Sequence, residues 1–294
     1  MQTLTAEPLF EVGCELGEGP VWHPEESRLY WVDITGHTLY RSTPEMDAYT
    51  KSGFETPIGS FGFRADGGFI LALGQGLATW DFGQTEPDFI WTPLPARKGL
   101  RMNDGKVDPG GRFWAGSMDP KKSQGELYRL DPNGSRHTLL NNIGISNGLG
   151  WSPDRKIMYY TDSLQSTIYA FDYDLESGGI TRQRPFVQLP KDGGGIVPDG
   201  LCVDVEGCLW SAQWNGWQVV RYDPLGQPIL TIEVPAQQVT SCTFGGKNLD
   251  QLFITTARID LSETQLANQP HAGDVFVAQT ETQGQGTNFF GTSL

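Results

Sequence analysis

Histidine and cysteine are scarce in this chain, with four of each among 294 residues. Cys14, Cys202, Cys208 and Cys242 contain no Cys-x-x-Cys pair. That spacing excludes the common zinc and dithiol motifs and a dense disulfide framework, and leaves small buried side chains as the expectation. Basic residues are also few, 21 against 35 acidic ones, for a net charge of -14. Such a balance argues against nucleic acid or an anionic membrane as partner. No apolar run approaches the roughly 20 residues of a membrane span, and "MQTLTAEPLFEV" lacks the basic start and apolar middle of a signal peptide. A soluble, cytoplasmic protein is expected, its oligomeric state left open. What is abundant is turn chemistry, with 37 glycines and 19 prolines.

The stretch "NIGISNGLGWSPDRKIMYYTDS" contains Gly144-Ile145-Ser146-Asn147-Gly148, a literal Gly-x-Ser-x-Gly. In serine hydrolases that pattern works because a strand precedes the serine and a helix follows it. Here Leu149, Trp151, Ile157 and Tyr159 fall in short alternating runs around the turn "SPDRK", which reads as a hairpin. The nucleophile context is missing, and a serine esterase using Ser146 is kept as an alternative only.

Internal repetition organises the chain. "NGLGWSPDRKIMYYTD" aligns with "EGPVWHPEESRLYWVD", "GSFGFRADGGFILAL", "NDGKVDPGGRFWAGS", "DGLCVDVEGCLWSAQ" and, more weakly, "TSCTFGGKNLDQLFI". Each unit is a strand, a polar turn and a second strand, usually followed by two more. The starts, 18, 59, 103, 147, 199 and 240, stand 41, 44, 44, 52 and 41 residues apart, the length of a four-stranded propeller blade. The fold expected for residues 1–294 is therefore an all-β, six-bladed propeller. "SETQLANQP", with Ser262 and Gln265 at capping-box spacing and Pro270 beyond, is the one helix expected, a decoration of the sixth blade.

In a propeller the start of each innermost strand faces one mouth of the central channel. The six equivalent positions are Glu18, Gly59, Asn103, Asn147, Asp199 and Thr240, and four of them carry carboxylate or amide oxygens. Hard oxygen donors converging from different blades suit a divalent cation such as Ca²⁺, Mg²⁺ or Mn²⁺. Asp and Asn also favour strand starts through local turn bonds; it is the shared register of Asn147 with Glu18 and Asp199 that points to a metal. His23, His37, His137 and His271 fall at the far turn, in outer strands or in a loop, which leaves a Ser-His-Asp triad unsupported.

The motifs "LGEGPVWHPEESRLYWVDI", "RMNDGKVDPGGRFWAGSM", "ISNGLGWSPD", "YYTDS", "PDGLCVDVEGCLW" and "FITTARIDL" resemble, in order and spacing, the SMP-30/gluconolactonase family over residues 11 to 279. The resemblance implies one divalent metal ion (Ca, Zn, Mn, Mg or Fe) held by Glu18, Asn147 and Asp199, with Arg101 and Asn103 contacting substrate. It implies hydrolysis of an aldonolactone, a small sugar lactone, with Asp199 moving the proton. Animal members carry a substrate-holding glutamate where this chain reads Met118-Asp119-Pro120-Lys121-Lys122, so Asp119 or Lys121 is the expected substitute, unless the loop is simply solvated. "LPKDGGGIVP" before Asp199 and "QWNGW", with Trp214 and Trp217, are expected around the mouth. A non-catalytic cation-binding or interaction propeller is the other alternative.

Overall fold

The alternating runs build six antiparallel sheets arranged as a six-bladed β-propeller in the computed structural model, which describes residues 2–94, 100–191 and 195–292. The innermost strands are Gly17–His23, Ile58–Phe63, Arg101–Val107, Ser146–Trp151, Val197–Val203 and Gln238–Gly245. Each leads outward through three further strands.

The packing follows from the period of two along a strand, which sends successive side chains to opposite faces of the sheet. Along Arg28–Asp33 of blade one, Tyr30 and Val32 join the apolar cluster shared with blade two, whereas Leu29 and Trp31 join the one shared with blade six. Among the described residues six such clusters form, one in each seam between neighbouring blades. Both faces of a blade are thus buried, so its middle strands read as nearly continuous apolar runs.

In blades three and five the first turn is built by the aspartate that follows the innermost strand. Asp108 accepts hydrogen bonds from the Gly110 and Arg112 amides at 2.8 and 2.9 Å and from Trp114 Nε1 at 2.9 Å. Asp204 does the same for the Glu206 and Cys208 amides and Trp210 Nε1, at 3.0, 2.9 and 2.9 Å. These aspartates explain the repeated "DPGGRFW" and "DVEGCLW".

Two closures join distant parts of the chain. Glu7–Phe10 pairs antiparallel with Val275–Gln279 and supplies the fourth strand of blade six, while Gln2–Thr5 adds a parallel fifth strand to blade five through Pro228–Glu233. At the opposite end of the chain, residues beyond Thr280 run beneath the propeller. Gln285 Nε2 donates to the Trp151 and Val203 carbonyls, Thr287 Oγ1 to Trp22, and Asn288 Nδ2 to Val107. The Gly284 amide donates to Leu249, and that of Phe290 to Phe63. One short tail therefore touches all six blades. The expected helix is present as Glu263–Asn268, with Ser262 as N-cap and the reciprocal bonds to Gln265 of a capping box. All four cysteines are free and buried.

Candidate metal and substrate site

Each innermost strand carries one extra residue relative to its partner, and always at the same place. The register shifts lie between Glu18 and Val21, Ile58 and Ser60, Met102 and Gly105, Asn147 and Leu149, Pro198 and Leu201, and Val239 and Ser241. These are the six positions singled out by the repeat alignment. A bulge re-aims side chains that strict alternation would send into the blade seams, so the sixfold bulge sets the strand starts apart from the rest of each innermost strand. The glycines there admit a close approach of neighbouring backbones. A Cβ on Gly59 would lie 2.7 Å from the Asn103 and Met102 carbonyl oxygens, and one on Gly148 would lie 2.7 Å from that of Asp199.

Side chains knit the ring together. Asn103 Nδ2 donates to the Ser146 carbonyl at 2.6 Å and to Asn147 Oδ1 at 2.9 Å. Asn147 Nδ2 donates to Ser163 Oγ at 2.8 Å, and that hydroxyl donates to the Pro198 carbonyl at 2.6 Å, one residue before Asp199. Arg101 Nη1 donates to Asn103 Oδ1 at 2.5 Å and to the Met102 carbonyl at 2.9 Å. Asn103 and Asn147 are therefore oriented amides, with the oxygen of Asn147 facing the group that Arg101 organises.

Glu18, Asp104 and Asp199 are buried carboxylates whose charges act on one another. Glu18 accepts from the Gly19 amide at 3.0 Å, and burial, followed by repulsion from Asp104, pushes it up to about 8. Burial and the charges of Glu18 and Asp104 push Asp199 well above the usual carboxylate range. Burial likewise raises Asp104, against the opposing pull of Lys106. Arg101 is lowered to about 10 by burial, with Glu18 and Asp199 opposing that fall. Asp199 Oδ1 is buried and has no hydrogen-bond partner among the described residues. Raised pKa values and an orphaned carboxylate oxygen mark a cluster in which Arg101 and Lys106 do not offset the burial of three carboxylates, so that an added cation would favour their charged forms.

Asp104 was not foreseen from the sequence. Its neighbour Asn103 occupies the channel position, and alternation would send the next side chain the other way; the bulge between Met102 and Gly105 removes that rule. Asp119 and Lys121 follow the end of the strand Phe113–Met118. Asp119 is buried and its Oδ1 accepts from the Lys122 amide at 3.3 Å within its own turn, while Lys121 is exposed. Trp214 is half-buried and Trp217 is exposed at the turn facing the same mouth. Of the glycine-rich lip, residues 192–194 lie outside the described residues. A cavity of about 810 Å³ adjoins Arg101, bounded by Leu73, Leu100, Met118 and Pro120. A second, of about 350 Å³, lies at the far end of the channel above the tail, beside Lys106, Cys202, Gln285 and Asn288.

Ser146 lacks the surroundings of a nucleophile. It is fully buried, the next element is the strand Ile157–Asp162, and its Oγ lies 1.7 Å from where a Cβ on Gly116 would stand. The hydroxyl fills the space between blades three and four. Asp204, Glu206 and Cys208 also bring potential ligand atoms within 4.8 Å of one another. Asp204 is already committed there, however, since besides its turn amides and Trp210 it accepts from Arg221 Nε and Nη2 at 2.9 and 2.7 Å. That group braces a blade turn.

Comparison with known proteins agrees with this architecture. The family model described as the SMP-30/Gluconolactonase/LRE-like region matches residues 16–258. Regucalcin of Oryctolagus cuniculus is 37% identical over 284 residues, covering 94% of both chains. A putative sugar lactone lactonase, YvrE, of Bacillus subtilis is 38% identical over 272 residues, covering 92% of both. The crystal structure of a calcium-binding regucalcin from Agrobacterium tumefaciens superimposes with a TM-score of 0.93 at 25% identity, covering 99% of this chain and 100% of that one.

Proposed function

From the membership of this chain in the SMP-30/gluconolactonase/LRE-like family, we propose that it is a divalent-metal-dependent hydrolase opening the ring of an aldonolactone. Glu18, Asn147 and Asp199 are the proposed ligands, and Arg101 and Asn103 the proposed substrate contacts. The observation that carries the reading is the orphaned Asp199 Oδ1 inside a buried cluster of three carboxylates. Its donors are all oxygen, which suits a hard cation. The chemistry is also that named for the Bacillus relative, and calcium is named for the Agrobacterium one.

A divalent ion bound there supplies Lewis-acid polarisation of the lactone carbonyl and charge for the developing oxyanion. The side chains supply the rest. Asp199 takes a proton from the attacking water and returns it to the ring oxygen as the acyl C–O bond breaks, so that water is consumed and one hydroxy acid results. Glu18, held through the Gly19 amide, adds negative charge opposite Asp199. Arg101, fixed by Asn103 and Met102, retains N–H donors to orient the ring hydroxyls. The amide of Asn103 holds Asn147 in the rotamer that presents Oδ1.

The decisive experiment is acid release from gluconolactone, galactonolactone, xylonolactone and arabinonolactone against phenyl acetate, with chelator and then with saturating Mn²⁺, Zn²⁺ or Ca²⁺. The expected result is metal-restored kcat/KM that favours a five- or six-membered polyhydroxylated ring, because oriented polar groups are left unpaired by a substrate without hydroxyls. A preference for phenyl acetate with every metal overturns the sugar-lactone assignment. Metal binding without turnover of any ester would instead identify a cation-binding propeller.

A further inference from the structure

Cys202 and Cys242 belong to the innermost strands of different blades, five and six, and their sulfurs lie 3.7 Å apart. The strands are pressed together at this point. A Cβ on Gly200 would lie 2.8 Å from the Ser241 Cα and 2.1 Å from its Oγ. Sulfurs 3.7 Å apart on neighbouring strands need only side-chain rotation to approach the roughly 2.05 Å of a disulfide. The pair is also reachable from one side. Cys202 lines the cavity of about 350 Å³ above the C-terminal tail, whereas Cys242 sits behind it with its thiol toward the Trp210 carbonyl, 3.6 Å away.

We propose that Cys202 and Cys242 are a modification site, a dithiol that a peroxide-class oxidant converts into a disulfide joining blades five and six. The peroxide takes two electrons from the Cys202 thiol, giving a sulfenic acid and one water. The Cys242 thiol then attacks that sulfur, the S–OH bond breaks, and the second water leaves with the thiol proton. Burial keeps Cys202 protonated, so the first step is slow and the second, between sulfurs already in contact, is fast. The link forms three residues beyond Asp199 on the same strand and fastens that strand to blade six.

The test uses the full chain. The protein is treated with hydrogen peroxide, then denatured and alkylated, its thiols are counted, and it is digested with trypsin and at Glu206, which separates Cys202 from Cys208. The expected result is loss of two of the four thiols, a mass decrease of about 2 Da, and a reductant-sensitive peptide joining residues 202 and 242. Cys202→Ser should abolish the link, and Cys208→Ser should leave it intact. Retention of all four thiols under conditions that oxidise a model dithiol, a link through Cys14 or Cys208, or sulfinic acid at Cys202 without a link would each overturn the proposal. Because the readout is a mass and not a rate, its failure is distinct from any failure of the lactonase assignment.

Discussion

Glu18→Gln should make the metal-free protein more stable while impairing metal binding and turnover. Glu18 is 4% exposed and its carboxyl is pushed from 4.5 to about 8 by burial, with Asp104 next in effect. A carboxyl whose folded pKa is raised contributes stability that is fully present below about 4.5 and is lost as pH rises toward 8, because the native state binds more protons than the unfolded chain across that window. At about 1.4 kcal/mol per unit, the loss between pH 4.5 and 7 is about 3 kcal/mol. At about 2.1 cal/mol/K of unfolding entropy per residue, that corresponds to roughly 5 °C in Tm for a chain of 294 residues. The assay is thermal unfolding in chelator from pH 5.5 to 8.5. Wild type should lose stability steadily with pH, and Glu18→Gln should lose less and melt higher at pH 8. Added Ca²⁺ or Mn²⁺ should raise wild type most, by about 2.7 kcal/mol at a hundredfold excess over Kd. A flat wild-type Tm in chelator between pH 5.5 and 8, or a Glu18→Gln protein that melts lower at pH 8, would refute the reasoning.

Ser146→Ala should keep most lactonase activity, whereas Asn147→Ala and Asp199→Ala should lose at least about 100-fold in kcat/KM, a threshold in keeping with the loss of one transition-state donor; inactive Ser146→Ala with metal still bound would reverse the assignment. Gly148→Ala should destabilise by about 1–3 kcal/mol, since its Cβ meets the backbone of the next blade, and an unchanged denaturation midpoint would contradict the close approach. Removal of residues from 283 onward should cost several kcal/mol, at about 1 kcal/mol for each hydrogen bond lost from the blades, visible as a lowered Tm; a truncated protein that melts like the full chain would mean that the tail is passive.

Much of the architecture is legible in the chain because propeller blades are local units. A strand, its turn and the next strand lie within some 40 residues, so their hydrophobic alternation and the turn aspartates recur at a readable period. Glu18, Asn147 and Asp199 stand out for the same reason, as oxygen-bearing residues in one register. The helix at 263–268 is read from its cap alone. Asp104 escapes this reading, because a bulge reverses the face that alternation assigns to it. So do the N-terminal strands and the tail, whose partners lie more than 260 residues away in the case of Glu7 with Val277 and Thr287 with Trp22.

By itself the sequence determined what depends on neighbours along the chain: the strands, their turns, the sixfold repeat and the residue types offered at each strand start. Only the tertiary structure decided what depends on closing the ring. It brought three carboxylates into one low-dielectric channel, where burial raises the pKa of each and repulsion from neighbouring carboxylates adds to the rise at Glu18 and Asp199. It buried the Ser146 hydroxyl between two blades, set two thiols 3.7 Å apart, and drew one tail across all six blades. Pattern along a chain carries periodicity, but proximity across a closed ring arises only when the last blade is completed by the N-terminal strand Glu7–Phe10.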